Sequence, residues 1–211
     1  MKLIYLEQTN STQTYAKEQL KCNENVTNIC FYTFDQIMGI GSQNNKWEGK
    51  DGNLFFSFII SLDDLPSDLP LQSISIYFAY IFKECLSSLG SNLFLKWPND
   101  LYIKNNKICG LITNKYKNKI ICGIGLNINK TKTFEGSLDI NMNKDELLRE
   151  YFNQLQCYPS WKQIFSKYKL EFHVNKKYFT NINNEKVSLE NAILNEDGSL
   201  NINNKKVYSL R

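Results

Sequence analysis

Between residues 96 and 113 the chain reads KWPNDLYIKNNKICGLIT, a density of polar groups beside a tryptophan that few hairpins need. Lys96 and Lys107 supply fixed positive charge, the usual counterweight to phosphate oxygens in acyl or phosphoryl chemistry. Pro98 keeps Trp97 out of helical geometry and presents Asn99 and Asp100 at the start of a strand. Asn99 can bond a nucleotide's sugar or phosphate, and Asp100 can pair with a lysine or hold a divalent ion. A second cluster runs from Gln36 through Gly39, Ile40, Gly41 and Ser42 to Lys46 and Trp47. Its glycines let backbone amides approach a ligand, and a loop of exposed N–H groups can cradle an anion. A third is CGIGLNIN, 122–129, where Gly123 and Gly125 interrupt an apolar run and imply a bulge or a close approach. Each cluster also has a plainer reading. Trp97 packs, Asp100 caps a turn, Lys107 is a solvated hairpin residue, and Asn127 satisfies a loop; on these residues alone that reading is the better one.

Length and composition narrow the setting. A chain of 211 residues holds one sizeable core with room for a small appendage, and 42% hydrophobic with 22% charged residues describes a globular protein. No apolar stretch is long enough to span a bilayer, and the first residues lack the apolar centre of a signal peptide, so a cytoplasmic location is expected. Six cysteines show no CxxC pair and no grouping with the single histidine, His173, which predicts buried free thiols rather than a zinc site. One histidine near the C-terminal part also excludes a Ser-His-Asp or Cys-His arrangement. The net charge of +4 is modest and dispersed, giving little support to nucleic-acid binding.

The elements that must carry these clusters are legible in outline. Residues 4–7 read as a strand, Ser11 as the N-cap of a helix to about Leu20, 28–34 as a strand and 54–61 as a buried strand. Leu71, Ile74, Phe78, Ile81, Phe82, Cys85 and Leu89 recur at helical spacing and stop at Gly90. Residues 93–129 alternate strand, turn, strand, turn, strand, with Asn105-Asn106 and the Asn118 region as turns because asparagine tolerates positive φ. Asn143 with Glu146 suggests a capping box, and Pro159 the opening of a helix bearing Trp161, Ile164, Phe165 and Tyr168. Beyond about residue 173, Asn183-Asn184, Asp197-Gly198 and Asn203-Asn204 punctuate short β-like runs. The pattern is α+β: an enzyme-sized domain, 1–173, then a small β module, 174–211.

Taken in order, the clusters resemble the biotin protein ligase family. KWPNDLYIKNNKICG is similar to that family's KWPND…K..G signature, with Lys107 and Gly110 at the expected offsets. GIGLNIN resembles its later glycine-asparagine strand, Asn10-Ser11-Thr12-Gln13 its early Ser-Thr-Asn element, and 36–47 its glycine-arginine loop. The resemblance covers essentially the whole chain, and KWPND is its most specific part. It implies a mixed sheet with flanking helices, as in biotin and lipoate ligases, followed by a small SH3-like β-barrel. It implies a two-step reaction in which biotin carboxylate attacks the α-phosphate of ATP and an acceptor lysine then attacks the mixed anhydride. By the same resemblance Lys107 is the catalytic residue. Ser11, Thr12, Gln36, Gly39, Ile40, Lys107 and Gly110 would hold biotin. Ser42, Trp47, Lys96, Asn99, Asp100, Gly125 and Asn127 would hold ATP or the adenylate, with Asp100 at a magnesium ion. The implied partner is the biotin carboxyl carrier protein of acetyl-CoA carboxylase or a related carboxylase. DNA and membranes are not expected as partners, and an edge strand leaves room for a homodimer.

The departures from the family matter as much. Its loop usually reads GRGRxxRxW, whereas here the arginine positions are Ile40, Ser42 and Asn45. Losing guanidinium donors to phosphate is not a conservative change, though Lys46 or Lys50 could offset part of it. The C-terminal module is short, and only Ser209-Leu210-Arg211 resembles the family's ending. No helix-turn-helix precedes Ile4, so a ligase without a DNA-binding module is expected. Two alternatives stand beside the biotin ligase: a lipoate or octanoate ligase or transferase, which normally lacks KWPND, and a biotin-binding module that has lost its chemistry.

Overall fold

The computed structural model describes residues 1–41, 46–47, 52–129, 136–182 and 185–208, with only the backbone of Lys46. Ser42, Asn45, Lys50, Asn183-Asn184 and Ser209-Leu210-Arg211 lie outside the described residues.

The run LFFSFIIS forms strand β5, Leu54–Ser61, and every one of its residues is buried. A strand covered on both faces reads as a continuous apolar run, not an alternation, which is why this one was legible. It is an interior strand, third in a seven-stranded sheet whose order is β1 (Lys2–Tyr5), β2 (Ile29–Thr33), β5, β9 (Lys119–Leu126), β8 (Asn106–Tyr116), β7 (Asp100–Ile103) and β6 (Phe94–Lys96). β1 and β2 run parallel, and the neighbouring pairs from β2 to β6 are antiparallel. A separate two-stranded hairpin, β3 (Gly39–Ile40) with β4 (Lys46–Trp47), belongs to the glycine loop.

Each face of the sheet has its own helical cover. On one face, Ala16 and Leu20 of helix α1 (Thr12–Cys22) pack with Phe31, Ile59 and Ile121. On the other, Phe56, Phe58 and Ile60 meet α2 (Ile74–Ser88), α3 (Lys144–Gln156) and α4 (Trp161–Glu171) in one large core. The Phe58 ring lies 5.0 Å from that of Phe78, 5.4 Å from Phe152 and 6.1 Å from Tyr151, centroid to centroid. Among the described residues no helix is long and apolar enough to cross a membrane.

Several boundaries differ from the sequence expectation. The first strand is Lys2–Tyr5, two residues earlier, and the 93–129 region holds four strands where three were expected. Pro98 donates no ladder bond, so the chain breaks between β6 and β7 around a cis Trp97-Pro98 peptide. Both long hairpins have two-residue turns, Lys104-Asn105 and Lys117-Asn118, and positive φ falls on the lysines at 52° and 51°. Asn203-Asn204 is a described turn in which asparagine takes both positive positions, at 50° and 61°. The α4 start is set by Ser160 and Gln163 in a reciprocal capping box, with Pro159 lying before the cap. Ser11 caps α1 by accepting from the Thr14 amide, and Asn143 caps α3, as their sequences imply.

A 3₁₀ segment, Phe172–Lys177, continues from α4 across the expected boundary at 173. Five short strands follow in two small antiparallel sheets. β10 (Phe179–Ile182) pairs β11 (Glu185–Ser188), and β12 (Ile193–Leu194) pairs β13 (Leu200–Ile202), which pairs β14 (Lys205–Val207). Leu189, Ala192, Leu200 and Ile202 of this module join the same core as Phe58 and Trp97.

Cys30, Cys85, Cys109 and Cys122 are buried and Cys22 and Cys157 exposed, all six as free thiols. Burial pushes the Cys85 thiol up to about 12, and Cys30, Cys109 and Cys122 upward as well. Phe58→Ala should destabilise the fold by about 3–5 kcal/mol, read from the midpoint of a urea transition, because the cavity lies among three packed rings.

Candidate active site

The three sequence clusters meet in one cavity above β5, β8 and β9. Its lining includes Ser11, Thr12, Gln36, Ile40, Trp47, Asn99, Asp100, Lys107, Gly110 and Gly125. Gly39, Lys96 and Asn127 stand outside that lining, and Ser42 lies outside the described residues. Gly123, which in the sequence implies a bulge or close approach, and Gln13, which stands there beside Ser11 and Thr12 without a role, also line it, while Phe55 and Ser57 were missed.

At one end the cavity is built by the start of α1 and the glycine loop. A parallel bridge joins Thr9 to Gln36, and the Ile37 and Met38 amides donate to the carbonyls of Thr9 and Asn10 at 3.0 and 2.7 Å. This seam sets Gln36 against Thr12. The Gln36 Oε1 accepts from the Thr12 amide at 2.9 Å and from Thr12 Oγ1 at 3.3 Å, and Ser57 Oγ donates to Thr12 Oγ1 at 2.9 Å. Gly39 has no room for a side chain: a Cβ there would fall 2.4 Å from the Trp47 carbonyl oxygen and 2.6 Å from Gln36 Nε2. Gln13 Nε2 donates to Asn114 Oδ1 at 3.0 Å and to the Ile121 carbonyl at 3.3 Å. Its Oε1 faces Gly123, without a partner in the protein.

At the other end a bulge does the positioning. Strict alternation would point Lys107 and Gly110, three residues apart, to opposite faces of β8. Instead Asp100 pairs with Gly110 and Leu101 with Cys109, but Tyr102 pairs with Lys107, so Ile108 is the extra residue. The shift brings Lys107 to the face that carries Gly110 and Asp100. Lys107 Nζ then sits 2.7 Å from Asp100 Oδ1 and 5.1 Å from the Trp47 ring centroid. The Trp47 indole lies across both glycines, since a Cβ at Gly110 would be 2.8 Å from its Cζ3 and one at Gly125 2.6 Å from its Nε1. Asn99, 1% exposed, donates through Nδ2 to the Leu111 carbonyl and accepts nothing at Oδ1. Lys96 Nζ is 5.0 Å from the Tyr102 ring, whose hydroxyl burial and Asp100 push up to about 12. Asn127 closes β9: its amide donates to the Ile108 carbonyl at 2.8 Å, and Asn53 holds the next two amides at 2.9 and 3.1 Å.

Among the described residues, three buried polar atoms on residues that line this cavity find no protein partner: Gln13 Oε1, Asn99 Oδ1 and Trp47 Nε1. Each unpaired buried group costs about 1–3 kcal/mol, so the cavity is arranged for a ligand with both donors and acceptors. An ammonium held by a carboxylate beside it adds a fixed charge. Among the described residues no three His, Cys, Asp or Glu side chains cluster.

This combination of sheet order, glycine hairpin and cavity has counterparts of known class. Residues 5–130 match the model of the biotin/lipoate A/B protein ligase family, and the chain belongs to that family. Its likeness within the family is to the biotin enzymes. It shares 39% identity and a TM-score of 0.94 with the biotin acetyl coenzyme A carboxylase synthetase of Helicobacter pylori, crystallised with bound biotinylated ATP, over 98% of this chain and 99% of that one. The Aquifex aeolicus biotin protein ligase, in complex with biotin and ATP, shares the fold at 22% identity and a TM-score of 0.75, over 100% of this chain and 96% of that one. The bifunctional ligase/repressor BirA of Bacillus spizizenii is 28% identical over 134 residues, 61% of this chain. Biotin–protein ligase 2 of Arabidopsis thaliana is 31% identical over 102 residues, 44% of this chain. The matched regions are 41% and 31% of those two proteins.

Gly125→Ala should displace the Trp47 indole, on whose Nε1 the new methyl would impinge at 2.6 Å. The expected result is a changed Trp fluorescence spectrum and roughly tenfold weaker nucleotide binding in a titration, a loss near 1.4 kcal/mol.

Proposed function

We propose that the protein is a biotin protein ligase that joins biotin to ATP and passes it to a lysine of a carboxyl carrier domain. The observation that carries this reading is the Lys107–Asp100 pair at 2.7 Å, set beside three unpartnered polar atoms in one cavity. Ser11, Thr12 and Gln36, with the backbone at Gly39, Ile40 and Gly110, hold the biotin head group. Trp47, Asn99, Asp100, Gly125 and Asn127 address the nucleotide, which brings its own magnesium. Lys96 contributes positive charge at the outer end of the β6–β7 hairpin.

In the first step a biotin carboxylate oxygen bonds to the α-phosphorus of ATP, the bond from that phosphorus to the bridging oxygen breaks, and pyrophosphate leaves. In the second, the acceptor's neutral ε-amine attacks the acyl carbon, an amide forms, the acyl C–O bond breaks and AMP leaves with the proton lost from nitrogen. Both steps gather negative charge on the phosphate oxygens. The Lys107 ammonium, oriented by Asp100, stabilises that charge with little reorganisation. Trp47 over Gly110 and Gly125 keeps water from the reacting anhydride. The acceptor is a biotin carboxyl carrier domain of acetyl-CoA carboxylase, supported by the name of the H. pylori relative. The region 1–173 forms the ligand cavity, and the module from 174 supports it. The exposed edge of β1 is the surface open to a second copy or to the acceptor.

The test is mass spectrometry of an apo carrier domain incubated with the protein, ATP, magnesium and either biotin or lipoate. A biotin-sized mass gain is expected, and Lys107→Ala should slow it by about 10²–10³-fold. A gain with lipoate alone would move the protein to the sister activity, and no gain across a panel of carriers would leave a binding module. Ile40, 43% exposed and without a donor, stands where the family carries an arginine. Biotinyl-adenylate should accordingly leave this protein faster than it leaves arginine-bearing relatives, measured by chase after single-turnover adenylation; an equally slow release would refute this.

A further inference from the structure

We infer that Asn175, a residue outside the cavity, is a positioning residue for the nucleotide step, acting through Trp97. This rests on the ligase reading above. Among the described residues strand β6 is the last of the sheet, bonded to β7 on one side only. In an antiparallel ladder alternate residues turn their N–H and C=O groups away from the partner, and at an edge those groups need another covering. Here the Asn175 side chain supplies it. Its Oδ1 accepts from the Trp97 amide at 2.7 Å and its Nδ2 donates to the Leu95 carbonyl at 3.0 Å. A primary amide has the shape and polarity of a peptide group, so one side chain stands in for a missing strand. Asn175 is 1% exposed, and no strand could fit in its place while the 3₁₀ segment Phe172–Lys177 lies there.

The second hold on Trp97 comes from the same C-terminal part. Its indole Nε1 donates to the Gly198 carbonyl at 2.9 Å. Gly198 is itself fixed, with φ at 75° and Ser73 Oγ 2.4 Å from where a Cβ would sit, and Ser73 donates to the neighbouring Asp197 carbonyl. Trp97 is thus tied at backbone and side chain. Two residues further on is Asn99 with its open Oδ1, and three residues on is Asp100, which holds Lys107. Releasing Trp97 lets that segment shift relative to β8, where Gly110 faces Asp100. The Ser11, Thr12 and Gln36 end of the cavity is built from α1 and the glycine loop, and Gly110 is held in β8 by its pairing with β9, so a lesion at Asn175 should spare biotin.

The experiment uses the full chain, with ATP–pyrophosphate exchange at saturating biotin, biotin affinity by calorimetry, and a melting curve for each protein. Asn175→Leu removes both bonds while keeping the same branched heavy-atom skeleton, though the methyl groups are bulkier than the amide they replace. The expected result is a KM for ATP raised about tenfold or more with a lower exchange rate, and biotin affinity within about twofold of the wild type. Asn175→Ser, too short to span Leu95 and Trp97, should show the same ATP-selective loss. Wild-type KM for ATP in either folded variant would overturn the inference. So would a loss of rate with both affinities unchanged, the mark of a smaller folded fraction, or the failure of both variants to fold, which would make the residue purely structural. Absence of exchange in the wild-type protein would instead refute the ligase reading itself.

Discussion

One extra residue in a β-ladder decides what this molecule can do. Ile108 interrupts the pairing of β7 with β8, and the interruption places Lys107, Gly110 and Asp100 on one face. With regular pairing the ammonium would point away from the cavity, and the aspartate would face glycine with no charge to hold. Much of the site presupposes that shift: Trp47 fits over Gly110 and Gly125 because neither has a side chain, and Lys107 borders the ring that covers them. A bulge costs ladder bonds, and the neighbouring strands offset that loss by long, regular pairing, eight residues between β8 and β9 and eight between β5 and β9.

Rigid support comes from layers packed against both faces. The aromatic cluster of Phe56, Phe58, Phe78, Phe82, Tyr151 and Phe152 fixes β5 from one side, and α1 fixes it from the other while delivering Ser11 and Thr12 from its first turn. Polar side chains that face the cavity therefore project from elements whose opposite sides are fully committed to packing. Such an arrangement suits electrostatic catalysis, where dipoles and charges do most when they need not reorganise.

The sequence disclosed the parts of this design that local chemistry dictates. Ser11 and Asn143 as caps, the buried run at 54–61 and the stop of α2 near Gly90 follow from capping, apolar burial and glycine at a helix end. Lys96, Asn99, Asp100 and Lys107 stood out as a cluster that could serve phosphate chemistry, but on residue types alone the packing reading was the better one. Only the ordered resemblance to the ligase family raised the chemical reading and added Gly110. What stayed hidden depends on register or on distant partners. Nothing local to Ile108 announces a bulge, and Ser57 is lost inside an apolar strand because its role comes from Thr12, 45 positions earlier. In the sequence Gln13 figures only as part of the Ser-Thr-Asn-like element, with no role of its own, yet it reaches Asn114 and the Ile121 carbonyl across the sheet. The turn lysines at 104 and 117 took conformations expected of their asparagine neighbours, since hairpin length, not residue preference, chose the position.

The unsatisfied atoms in the cavity have a consequence for how the protein lives with its substrates. Gln13 Oε1, Asn99 Oδ1 and Trp47 Nε1 find no partner among the described residues, and a bound ligand can supply one to each. A ligand that satisfies them binds the folded state alone, and its free energy of binding is added to the stability of the whole chain. Because the C-terminal strands share one core with the sheet, that gain is spread over the entire molecule and not confined to a loop. The stability of the protein is thus linked to its small-molecule supply, since whatever fills the cavity holds the C-terminal strands folded as firmly as the sheet.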